Sequence, residues 1–221
     1  MVRITLDKYL QELQDEMLTL GSMVEKAIDR SLDALKRRDL ELARQIIADD
    51  QKVNLKRFEI EERGIDLIAT QQPMAQDLRT IVVVLSIITD LERMADHAEG
   101  IAKIALLIGD EPPLKPLIDI PRMTERATSM LRRSLTAFIE RDIEAAKQVS
   151  AEDEMVDNLY DQVYHELLLF MLQDPKTISR ATHLLWVAHN LERIADRVTN
   201  ICERVVFMVT GTYEELNVSK Y

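Results

Sequence analysis

The sequence predicts an all-α protein built as two tandem three-helix bundles, six helices in all, related by an internal repeat. Three observations carry this expectation. Apolar residues recur at steps of three and four, as in Leu10, Leu13, Met17, Leu20, Val24 and Ala27, or Leu184, Val187, Leu191, Ile194, Val198, Ile201, Val205 and Met208. That period is the signature of a helix with one buried face, not of an alternating strand. Helix breakers are scarce, with five glycines and six prolines in 221 residues, so long helices are permitted. Finally, an undecapeptide is written twice, LERMADHAEGI at 91–101 and LERIADRVTNI at 191–201, which makes the chain two half-molecules.

The breakers divide the pattern into six segments. The first, 5–37, and the second, 39–71, meet at Arg38-Asp39, where the aspartate is placed to cap the second helix. The third, 74–108, follows Pro73 and carries the first undecapeptide. Its apolar run from Ile81 to Ile88 is far too short to cross a bilayer. Four of the six prolines then fall in the stretch from Asp110 to Pro121, which reads as a non-helical connector between repeats. The fourth and fifth segments, 121–140 and 142–173, meet at Arg141-Asp142 just as the first pair meets at Arg38-Asp39. The sixth, 176–209, follows Pro175 and carries the second undecapeptide. The expected units are therefore 1–110, a connector at 111–120, and 121–221. Short turns make successive helices antiparallel, so each unit runs up-down-up. The middle helices match at an offset of 103, Asp49 to Asn54 against Glu152 to Asp157, while the undecapeptides match at 100, which places a small length difference in the turn between second and third helices.

Charge narrows the function. A formal net charge of −11 argues against direct nucleic-acid binding, because affinity for a phosphate backbone rests on lysines and arginines. The first residues contain no apolar signal segment, so a cytoplasmic location is expected. The lone Cys202 excludes an intrachain disulfide and, inside a helical apolar pattern, is expected to be a packed thiol.

Each undecapeptide keeps a glutamate and an aspartate at i,i+4, side by side on one helix face. Counting about 100° per residue from Leu191, the apolar Ile194, Ala195 and Val198 lie within about 60° of zero. Glu192, Asp196, Asn200 and Glu203 lie between about 100° and 180°, and Arg193, Arg197 and Arg204 between about 200° and 240°. Acids and bases are segregated into stripes. On the middle helix Asp153, Asp157 and Asp161 repeat every four residues, and antiparallel packing would bring the two acidic stripes together. Carboxylates converging in this way repel one another unless a multivalent cation intervenes, and oxygen-only ligation suits hard ions such as Fe³⁺, Mn²⁺, Mg²⁺ or Ca²⁺. The alternative is a solvated acidic face. A di-metal carboxylate enzyme of the ferritin type would want Glu-x-x-His pairs, yet His97, His165, His183 and His189 all lack an acid at i−3, so no catalytic residue is assigned.

Further residues carry a resemblance. Gln72-Pro73, Ala75 and Asp77-Leu78-Arg79, the DLERMAD run at 90–96 with its copy, the connector Glu111-Pro112-Pro113-Leu114-Lys115-Pro116, and the acidic pairs on the second helix of each half are similar to the PhoU family, accessory regulators of bacterial phosphate uptake. The resemblance implies a cytoplasmic homodimer with metal clusters at E(D)-x-x-x-D motifs. Iron comes first among the ions, with Mn, Mg, Ca or Zn as alternatives. It implies a negative regulator of the phosphate-starvation response that works with the ATPase subunit of the phosphate transporter and a phosphate-sensing histidine kinase, reaching the membrane only through these partners. Carried over by position, the C-terminal metal site would use Asp153, Asp157, Glu192, Asp196 and Asn200. The N-terminal site would use Asp50, Asn54, Glu92 and Asp96, weakened by Asn54 in place of an acid and by Gly100 in place of a polar ligand, with Glu99 as a possible substitute. Three classes of reading stand at this point: a metal-binding regulatory adaptor, a helical scaffold with solvated acidic faces, and a di-metal enzyme.

Overall fold

Two long helices, one from each half, lie against each other at the centre of the molecule, and the rest pack outside them. The computed structural model describes residues 2–216. Helix α1 spans Val2–Arg37, α2 Leu40–Gln71 and α3 Gln76–Ile108 in the first half; α4 spans Asp119–Glu140, α5 Ile143–Ala151, α6 Asp153–Gln173 and α7 Ile178–Thr210 in the second. No strand occurs among the described residues, and no helix among them is long and apolar enough to cross a membrane.

The expected boundaries hold to within a few residues, with two corrections. The segment expected as one helix over 142–173 is interrupted at Glu152, where the amide bonds shorten to i→i−3: Glu152 N donates to Val149 O and Met155 N to Glu152 O, at 3.1 and 3.0 Å. Glu152 keeps right-handed helical dihedrals, φ −73° and ψ −14°, so α5 and α6 act as one broken helix, the fifth of six. The second correction concerns Pro121, which lies inside the first turn of α4 and not in the connector. Its missing N–H costs nothing there, because first-turn amides have no intrahelical acceptor.

The repeat reaches into the turns. Asp39 accepts from Leu42 N at 2.9 Å and Asp142 from Ala145 N at 3.0 Å, and the arginine before each has a left-handed φ of 55°. Arg30 pairs with Asp49 at 2.8 Å, and Arg133 with Glu152 at 2.6 Å, the same pair moved by 103 residues. Ser31 and Ser134 are both fully buried and donate to the carbonyls of Ile28 and Leu131 at 2.7 and 2.8 Å.

The two halves meet mainly through α3 and α7, and secondarily through α1 and α4. Residue 90 meets 197 and 200, while residue 190 meets 97 and 100, so α3 and α7 run antiparallel across a pseudo-twofold axis. Arg79, near the start of α3, lies against Gly211 at the end of α7, where its charge opposes the helix dipole. Leu91 and Met94 of α3 and their counterparts Leu191 and Ile194 of α7 are all essentially inaccessible. Truncating one of them to alanine is expected to cost about 2–5 kcal/mol. The connector is tied down: Leu114 and Leu117 pack on the core, Lys115 pairs with Glu166, and Arg180 donates to the Pro112 carbonyl at 3.5 Å.

Candidate metal centres

The C-terminal cluster forms where α6 crosses α7. Asp153 is the first residue of α6 and Asp157 lies one turn on, so both project from one face, and α7 brings Asp196 to meet them. Each of the three offers a carboxylate oxygen, and the three oxygens lie within 4.8 Å of one another. Asp153 is only 1% exposed, while Asp157 and Asp196 are half-buried. Burial, and then the neighbouring charge of Glu192, push the Asp196 carboxyl up to about 6 against the pull of Arg193. Burial dominates, so the carboxyl is held high even with the Arg193 guanidinium beside it.

Glu192 is turned toward a cation of its own chain. The Arg193 guanidinium grips it through Nε and Nη2 at 2.7 and 2.8 Å, and Nη2 also reaches Asp196 at 2.9 Å. His189 Nδ1 stands 3.5 Å from the same glutamate. Arg193 thus occupies the position of a counter-ion beside the cluster, a role absent from the sequence reading, which placed it on a separate basic stripe.

Asn200, expected among the ligands, engages the neighbouring helix α3 through its side chain. Its side-chain amide donates to Asp90 of α3 at 3.1 Å. The reason is rotation: each i,i+4 step advances about 40° around the helix, so the stripe that begins at Glu192 has turned from α6 toward α3 by its third member. Gly100 follows the same geometry. A Cβ there would stand 3.1 Å from Asn190 Oδ1, so position 100 faces the α3–α7 seam, and its glycine permits close helix approach.

The N-terminal face is built from α2 and α3. Asn54 donates its amide to Asp50 at 2.9 Å. Burial, then Glu99 and Asp96, push Asp50 up to about 6, while Glu92 and Asp96 are themselves raised, chiefly by burial. Glu99 therefore belongs to the electrostatics of this face, although Lys103 pairs with it at 2.6 Å. Asp49 is held by Arg30 and Lys52 at 2.8 and 2.7 Å. Among the described residues, the carboxylates that converge on a common point are Asp153, Asp157 and Asp196 alone.

Other candidates fall outside both faces. Cys202 is fully buried, and burial pushes its thiol up to about 12, which makes it a packed side chain and not a nucleophile. His97 donates from Nδ1 to Asn190 at 2.9 Å in the seam. The seam partners Asp90, Arg197, Asn190 and His97 went unnoticed in the sequence, although the offset of 100 that pairs 90 with 190 and 97 with 197 was there to be read.

Comparison with known proteins places this architecture. The model of the PhoU domain matches twice, over residues 17–105 and 120–205. A phosphate-specific transport system accessory protein PhoU homolog of Aquifex aeolicus is 41% identical over 204 residues, covering 92% of each chain, and one from Clostridium acetobutylicum is 39% identical over 98% of this chain and 100% of its own. The crystal structure of the phosphate transport system regulatory protein PhoU from Streptococcus pneumoniae superposes with a TM-score of 0.88 at 33% identity, covering 95% of this chain and 99% of that one. PhoU from Pseudomonas aeruginosa gives the same TM-score at 31% identity, over 93% and 99%. Two matched repeats, relatives aligned along nearly their whole length and a shared six-helix arrangement leave one assignment: the chain belongs to the PhoU family.

Proposed function

We propose that this chain is a cytoplasmic negative regulator of the phosphate-starvation response and of phosphate uptake, acting as a metal-binding adaptor between a phosphate transporter and its sensor kinase. The pathway rests on the relatives, which are named as accessory and regulatory proteins of phosphate transport and match over nine-tenths of their length or more. The metal-binding part of the reading rests on one structural observation, the convergence of Asp153, Asp157 and Asp196 within 4.8 Å with Asp196 raised to about 6. An all-oxygen anionic donor set fits a hard multivalent cation, with iron first and Mn, Mg, Ca or Zn as alternatives. Such a cation would neutralise the cluster and tie α6 to α7.

The chain's own residues do the rest. Asp153 and Asp157 hold two donors at fixed helical spacing, and Asp196 supplies the third from the facing helix. Arg193 keeps Glu192 and Asp196 neutralised in the absence of a cation and must release Glu192 before that carboxylate can join. The net charge of −11 leaves signalling to protein contacts and not to promoter DNA. Exposed apolar side chains such as Leu169, Leu172 and Trp186 are surface that a second copy would cover in a homodimer.

Deletion in the native host is expected to derepress phosphate-starvation genes in phosphate-rich medium. The transporter's ATPase subunit or the histidine kinase should co-purify with the protein. Unchanged expression after deletion would remove the regulatory role, and purified protein that binds the promoters would remove the adaptor mechanism.

A further inference from the structure

The acidic clusters leave unused the basic stripe of α7, and the structure puts part of it somewhere unexpected. Arg193 folds onto Glu192 and Asp196, but Arg197 and Arg204 turn the other way, into an open groove of about 530 Å³ along the α3–α7 seam. Arg93 of α3 enters the same groove from the opposite wall. Three guanidinium groups therefore meet in one place on a protein whose formal charge is −11.

Their compensation is incomplete. The groove contains one carboxylate, Asp90, with a side chain only 13% exposed; it accepts from Asn200 at 3.1 Å and lies 3.5 Å from Arg197 Nη1. Among the described residues, neither Arg93 nor Arg204 has a carboxylate within ion-pairing distance. Arg204 is held over the Tyr213 ring at 5.3 Å, and that ring stacks on Phe207 at 4.0 Å, so the segment after α7 fixes the guanidinium at the groove. The hydroxyls of Ser86 and Thr89 donate back to carbonyls of their own helix, each at 3.1 Å, which leaves the arginines as the main donors.

The fold does not demand this arrangement. Across the pseudo-twofold axis, Asn190 stands for Asp90, His97 for Arg197, Gly100 for Asn200 and Ile104 for Arg204, and the equivalent of Arg93 is Arg193, which is committed to the acidic cluster. The symmetry-related stretch of the seam packs with hardly any charge. One arginine paired with Asp90 would be enough to fasten the helices; the other two make an excess of positive charge that a structural role leaves unexplained.

We propose that this groove binds a small, doubly charged oxyanion of the phosphate class, gripped by Arg93 and Arg204 with Arg197 behind them. Two net positive charges match a dianion, and guanidinium forks match tetrahedral oxygens through paired N–H donors. The volume admits either inorganic phosphate or the phosphoryl group of a small organic phosphate. The site stands on the seam's own charge and geometry, independently of any metal at the acidic clusters.

Calorimetric titration of the full chain with inorganic phosphate and with phenyl phosphate, at matched ionic strength in chloride, tests it. Saturable binding of one anion per chain is expected. Arg197→Gln with Arg204→Gln should weaken it at least tenfold, and Arg93→Gln, at an exposed position that leaves the fold intact, should weaken it several-fold. Asp90→Asn should tighten it, a change of opposite sign within the same groove, and the exposed Arg44→Gln should leave it unchanged. Binding of phenyl phosphate alone assigns the site to organic phosphates. Absence of saturable binding for both probes overturns the proposal, and so does phosphate binding that survives loss of these arginines, since that anion would be held elsewhere, for example by a metal.

Discussion

The two acidic faces descend from one repeat, yet only one of them gathers its carboxylates. In the second half the helix breaks at Glu152, and Asp153, at the start of α6, is driven to 1% exposure against Asp157 and Asp196. In the first half α2 runs unbroken past the equivalent Asp50, which remains half-exposed and shares its charge with the Asn54 amide. The arginines differ too: Arg193 clasps its own glutamate, whereas Arg93 points into the seam groove. Identical i,i+4 spacing thus yields a convergent donor set or a looser acidic surface according to the course of the neighbouring helix. Motif spacing is necessary for such a site and does not by itself build one.

The largest expected effect is on metal content. Asp157→Asn with Asp196→Asn should reduce affinity by at least the roughly 10–100-fold typical of losing even an outer-shell partner. Asp50→Asn with Asp96→Asn should cost less, and equal or reversed losses in folded variants would erase the difference between the halves. Next in size is Arg193→Gln, which removes a competing cation and should strengthen metal binding several-fold at the C-terminal cluster. Weaker binding instead would mean that Arg193 positions the ligands and does not compete with them.

A smaller effect concerns pH in chelated protein. Asp50 and Asp196 have folded values near 6 against an ordinary 3.8. The folded state therefore holds protons that the unfolded chain releases, and this contribution to stability is fully present below about 3.8 and lost as pH rises through about 6. Urea unfolding across that window should show Asp196→Asn and Asp50→Asn each flattening the decline. Curves parallel to wild type would mean that the faces are solvated. The smallest effect should be shared equally: Asp39→Ala and Asp142→Ala each remove a helix cap and should each lower stability by about 1 kcal/mol. A marked inequality would show that the halves differ in their scaffolds as well as in their sites.

Much of this was legible in the sequence, and the exceptions have physical causes. Apolar periodicity and the Arg-Asp turns are local signals, so the helices and the caps at Asp39 and Asp142 emerged where expected. The break at Glu152 has no glycine or proline to announce it. The seam contacts of Asn200 and Gly100 were not legible because a four-residue step drifts around a helix, and only the identity of the helix packed on each side decides which partner a drifting position meets. The seam groove was invisible for the same reason: Arg93 and Arg204 are 111 positions apart and are joined only by the antiparallel contact of α3 with α7.

Crystals grown with limiting Mn²⁺ would test the difference between the halves most directly, by anomalous diffraction that assigns occupancy to each site. The expected result is a first peak coordinated by Asp153, Asp157 and Asp196, with density beside Asp50 and Asp96 appearing only at higher metal. A first peak at Asp50 and Asp96, or equal filling of both faces, would contradict the claim that the broken helix makes the C-terminal cluster the tighter site.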